Sequence, residues 1–117
     1  MQTHAQSADV QVQGCGALWN LANSHAEIRT RIAGAGGIEA VVKAMQTHAQ
    51  SADVQQEGCR ALRNSSFNHA ENKARIADAG GIEAVVAAMQ THMQSAEVQR
   101  KGCRALRNLS NHFRFRV

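Results

Sequence analysis

From Ser51 onward, small or apolar residues fall at Val54, Gly58 with Cys59, and Leu62, three and four residues apart, and Ser65 occupies the slot that continues the series. This spacing gathers the apolar positions on one face of an α-helix. Ser51 stands just before the run, where its hydroxyl can cap the helix, and Asp53 suits the positive end of its first turn. The pattern predicts a helix from about Ser51 to Asn64, the longest of its group. A shorter one is expected from His69 to Ala79, with Ala70, Ala74, Ile76 and Ala77 apolar and Gly80-Gly81 ending it. Ile82, Val85, Val86 and Met89 then begin a third helix at once, and Gly36-Gly37 with Ile38, Val41, Val42 and Met45 make the same corner earlier in the chain.

The three-helix pattern recurs. Met1-Gln2-Thr3-His4 returns as Met45-Gln46-Thr47-His48 and as Met89-Gln90-Thr91-His92, a period of 44 residues. Residues 1–44 and 45–88 are identical at 31 of 44 aligned positions, and 89–117 match 45–73 at 17 of 29. A unit of this length cannot bury its apolar face alone, whereas stacked units bury each other's. The chain is therefore expected to form one domain over 1–117, made of 1–44, 45–88 and a partial 89–117.

Periods in the low-to-mid forties with two or three helices point to the armadillo and HEAT group. Residues Gly81 to Met89 (GIEAVVAAM) and Val54 to Asn64 (VQQEGCRALRN) resemble the second and third helices of armadillo repeats, and Ala74 to Gly81 (ARIADAGG) resembles the end of the short first helix. The resemblance covers essentially the whole chain. It implies an all-α fold, a right-handed α–α superhelix (an armadillo-like solenoid) of about two and a half repeats. One departure is Glu39 and Glu83, where many members have proline two residues after the corner glycine.

The same resemblance implies a protein-binding role. In that family the third helices line a concave groove, and an asparagine near the end of each holds the backbone of an extended peptide. The matching positions are Asn20, Asn64 and Asn108. An amide side chain offers both a donor and an acceptor, so it can pair with any peptide unit; asparagines there can equally just terminate their helices. One turn earlier, where nuclear-import receptors of the family place tryptophan, this chain has Gly16, Arg60 and Arg104. Trp19 is out of phase with such an array and stands where Arg63 and Arg107 do in the other units. Arg60, Arg63, Arg104 and Arg107, joined by Arg100 and Lys101, suggest a basic ladder suited to forked pairing with carboxylates. The expected ligand is a protein or peptide with an extended acidic segment. The bland alternative is a solvated polar face.

Composition narrows the remaining classes. The net charge of +4 belongs to one end: residues 1–88 carry seven Lys/Arg against eight Asp/Glu, and 89–117 carry six against Glu97 alone. That end would favour phosphate, but the aromatic platforms of single-strand binders are scarce, with only Trp19, Phe67, Phe113 and Phe115. Weak nucleic-acid binding is thus a minor alternative. No apolar run approaches the ~18 residues of a membrane span, and the amino terminus lacks a signal-peptide pattern. No membrane partner and a cytoplasmic or nuclear setting are expected.

No catalytic constellation, metal site or cofactor motif stands out, so catalysis is not expected. Cys15, Cys59 and Cys103 recur by repeat. Equivalent atoms of packed helices lie roughly 10 Å apart, beyond the about 7 Å limit for bridged Cα atoms. Small buried hydrophobes are the better reading. Neither end of the chain resembles a polar cap, which suggests self-association through uncapped solenoid ends and, as an alternative function, a self-assembling structural unit. Ser65 replaces the leucine found at Leu21 and Leu109, so this slot is expected to be loose, with Phe67 positioned to fill it.

Overall fold

The structure is a computed structural model that describes the backbone of residues 26–114 and the side chains of 26–110. Over these residues it is all-helical: α1 (Ala26–Gly34), α2 (Gly37–Thr47), α3 (Ala52–Ser66), α4 (Ala70–Asp78), α5 (Gly81–Thr91) and α6 (Ala96–Arg114). The starts at 26, 37 and 52 recur at 70, 81 and 96, so the 44-residue period of the sequence is also the period of the backbone.

Local chemistry sets these boundaries. The Ser51 hydroxyl accepts from the Val54 N–H at 3.3 Å, and Ser95 repeats the cap on Val98 at 3.2 Å. At the corner between the short helix and the next, Gly36 and Gly80 adopt φ of 90° and 85°, a left-handed conformation that side-chain-bearing residues rarely hold. The second glycine of each pair is needed for space. A Cβ on Gly37 would lie 2.8 Å from the Ile32 carbonyl oxygen, and one on Gly81 would lie 2.9 Å from that of Ile76. Each GlyGly pair therefore fulfils two requirements, one conformational and one steric. The helix after it starts immediately, with Ile38 or Ile82 as its first apolar residue.

The core runs continuously through both units and includes Ile38, Val42, Met45, Val54, Leu62, Ile76, Val85, Val98 and Leu109. Helix α3 packs along α6, α2 along α5, and α4 beneath both α3 and α5. Within a unit the second helix meets the third through a methionine on a glycine: Met45 lies where a Gly58 Cβ would be, and Met89 does the same over Gly102. The buried Gln55 side chain donates to the Met45 and His48 carbonyls, 3.0 Å each, so the end of α2 is fastened to α3. Gln99 repeats this on Met89 and His92 at 2.8 and 3.1 Å.

Three details depart from the sequence pattern. Phe67 does not fill the Ser65 slot; it caps α3 and is 50% exposed. Instead Asn72, which stands where the first unit has Ile28, is buried there and donates its amide to the Ser65 carbonyl at 2.9 Å. A buried polar residue is thus bonded to the main chain at this position. Cys103 is exposed rather than buried, because among the described residues no helix packs over that side of α6; its copy Cys59 is buried beneath α6. Helix α6 also continues to Arg114, past the place where α3 turns. That turn uses Phe67 and Asn68, the latter at φ 51°. From Ser66 to His69 there are two intervening residues, and from Ser110 to His112 only one, so the segment that forms the turn after α3 is one residue shorter here.

Candidate functional site

The long helices α3 and α6 carry the residues in question. Positions 100, 104 and 107 are four and three residues apart, which places Arg100, Arg104 and Arg107 on one strip of α6. Arg60 and Arg63 hold the corresponding positions on α3, and the two helices pack side by side, so the strips are neighbours. Arg60, Arg104 and Arg107 are exposed, and Arg63 is half-buried. Glu97 is the one acid on α6, and it is engaged at the start of the helix by Arg100 and, at 3.9 Å, by Lys101. The hydrogen bond from Arg100 holds the Glu97 carboxyl below the usual carboxylate range, so it remains charged. Lys101 also reaches the Gln56 amide oxygen on α3 at 3.5 Å. The guanidinium groups of Arg104 and Arg107 make no ion pair among the described residues.

The asparagines are placed differently from the arginines. The Asn108 amide nitrogen donates to the Arg63 carbonyl at 3.0 Å and to the Ser66 hydroxyl oxygen at 2.7 Å. The Ser66 hydroxyl in turn donates to the Arg63 carbonyl at 3.1 Å. Both amide hydrogens of Asn108 are thus spent on the last turn of α3, and its carbonyl oxygen is the part left for a ligand. Asn64 is buried, with its side-chain oxygen accepting from the Arg63 guanidinium at 3.3 Å. Arg63 is therefore held by its neighbour Asn64 while its carbonyl holds α6. Trp19 and Asn20 lie outside the described residues.

Two of the repeated histidines, His69 and His92, are fasteners between units. His92 donates from Nε2 to the Ala49 carbonyl at 2.9 Å, which ties the loop after α5 to the loop after α2. His69 caps α4 by accepting the Asn72 N–H on Nδ1 at 3.2 Å, and its Nε2 lies 2.8 Å from the Thr30 hydroxyl. The Arg75 guanidinium reaches back to Glu39 at 3.1 Å, an ion pair between the two units. None of these contacts follows from helical periodicity. The recurrence of Gln11, Gln55 and Gln99 at the same place in each unit was the available signal for the glutamine anchors.

The thiol of Cys59 is pushed from 9.0 up to about 12 by burial, against a smaller opposing pull from Lys101. It stays protonated and serves as packing. Among the described residues no helix is long and apolar enough to cross a membrane.

The chain matches no known family model, and no curated protein or solved structure is similar to it.

Proposed function

We propose that the chain is a protein-interaction module of armadillo-like architecture, not an enzyme, and that its α3–α6 face binds an extended acidic segment of a partner protein. The observation carrying this reading is the pair of adjacent arginine strips, Arg60 with Arg63 and Arg104 with Arg107. The sole acid of α6 is engaged near the start of the helix by Arg100 and Lys101, and Arg104 and Arg107 make no ion pair among the described residues. Guanidinium groups are the donors best matched to carboxylates in this setting, through forked pairs. Stacked three-helix units at a 44-residue period support the armadillo-like architecture, and so does the resemblance of α5 and α3 to second and third armadillo helices. The hydrogen bonds of Asn108 alter the expected role of the asparagine row. Its oxygen can accept from a bound backbone N–H, but its donors are committed to α3.

Fluorescence anisotropy with one extended acidic peptide and one basic peptide of equal length tests the reading. Selective binding of the acidic peptide is expected, lowered about tenfold or more by Arg104→Glu with Arg107→Glu. Equal weak binding of both peptides would remove the acidic-ligand reading. Salt-steep binding to random oligonucleotides without peptide binding would transfer the strip to nucleic acid.

A further inference from the structure

Two stripes on the outer side of the second unit are surfaces that the first unit buries. On α5 they are Ile82, Val86 and Met89; on α6 they are Gln99, Cys103, Leu106 and Ser110. All seven are exposed or half-buried. Their counterparts 44 residues earlier, Ile38, Val42, Met45, Gln55, Cys59, Leu62 and Ser66, are each 3% exposed or less. Val86 is 37% exposed and Met93, beyond the end of α5, is 72%. The same physical surface is therefore covered once, by α4–α6, and open once.

The covered copy shows what fits the open one. Helix α2 packs along α4 and α5, where Met45 borders a small cavity together with Ala84 and Ala88, and Glu39 pairs with Arg75. The receiving surface also has an earlier copy. Ile76 is fully buried and Ala84 is buried, yet their counterparts Ile32 and Ala40 are half-buried and exposed. They border an apolar concavity of about 550 Å³ with Ile28, Arg31, Ala35 and Gly37. The polar pair is split in the same way. Glu83 is the copy of Glu39 and Arg31 the copy of Arg75; both are exposed and neither makes an ion pair among the described residues.

We infer that this outer face receives a second copy of the chain, head to tail, with Ile82, Val86 and Met89 of one copy seated on the Ile28–Ile32–Ala40 surface of the next and Glu83 facing its Arg31. The two surfaces complement each other because they are halves of a junction the chain already makes within itself. A twofold pairing of the outer face with itself would bring two arginine-bearing α6 helices together, whereas the head-to-tail arrangement sets Glu83 against Arg31. The contact so defined lies between α5 of one copy and the α1–α2 corner of the next. The inference does not depend on peptide binding and stands apart from that reading.

Sedimentation velocity of the full chain over a range of concentrations tests it. Self-association is expected. Val86→Asp should weaken it about tenfold or more, because a carboxylate is set into an apolar seat, while helical circular dichroism stays unchanged since Val86 lies at the surface. Glu83→Arg and Arg31→Glu should each weaken association severalfold, and an equimolar mixture of these two variants should restore it. A chain that stays monomeric at high concentration, or association indifferent to Val86→Asp, would overturn the proposal. So would charge variants that fail to rescue each other, which is the outcome of a twofold pairing.

Discussion

The side-chain amide of Asn72 donates to the main-chain carbonyl of Ser65 at 2.9 Å, from a position that is 2% exposed. It also lies 3.4 Å from the Arg29 carbonyl on α1. One side chain thereby links three helices, and its backbone N–H is the one that His69 caps.

Asn72→Ala should be costly for this reason. Removing the amide leaves a buried carbonyl without its donor, a penalty of about 1–3 kcal/mol. A thermal melt followed by circular dichroism should show the midpoint falling by several degrees. Ser65→Leu with Asn72→Ile restores the apolar residues of the first unit at both positions and should recover most of the loss.

The two glycines at each corner should respond differently to the same substitution. Gly80→Ala meets no neighbour but must hold φ 85°, at a cost of roughly 1–2 kcal/mol. Gly80→Asn should cost less, since asparagine tolerates that conformation. Gly81→Ala drives a Cβ against the Ile76 backbone, which cannot give way without moving the helix end. Urea denaturation should rank the losses Gly81→Ala, then Gly80→Ala, then Gly80→Asn.

Gly58→Ala and Gly102→Ala create the same overlap with a methionine in two settings. Met45 is buried beneath the following unit, whereas Met89 is half-buried and can swing outward. Overpacking of a filled core costs about 1–3 kcal/mol. Gly58→Ala should lie in that range and Gly102→Ala well below it, measured by the same denaturant midpoints.

The two described cysteines should separate cleanly in a labelling experiment. Cys103 is exposed and should react with a maleimide in the folded protein; Cys59 should react only on unfolding, as read by peptide mass mapping. The folded-state thiol of Cys59, raised from 9.0 to about 12, also links stability to pH. Its contribution is complete below pH 9 and is lost as pH rises from there toward 12, because the unfolded chain releases the proton first. Cys59→Ala should flatten the alkaline fall in the melting midpoint.

Apart from the end of α6, which runs on to Arg114, the helices were legible in the sequence to within a residue or two because their signals are local. Ser51 and Ser95 cap where a serine before an apolar period should, and Gly80-Gly81 turns where the period breaks. The order of units was legible because the chain repeats itself. The arginine strip was legible from helical spacing alone. What the Asn108 amide touches was not, since that depends on how far α6 lies from the last turn of α3. Nor was the answer to the missing leucine at Ser65. The sequence offered Phe67 as the nearest bulky residue, but it is half exposed, and a buried polar residue seven positions downstream bonds the Ser65 carbonyl.

The ion pair between Glu39 and Arg75 has a consequence for how such a chain grows. Both partners belong to every 44-residue unit, glutamate on the outgoing side and arginine on the incoming one. The apolar stripes are divided in the same way. A duplicated stretch of gene therefore inherits a lock and its key together, and the new segment fits its parent without a single compensating mutation.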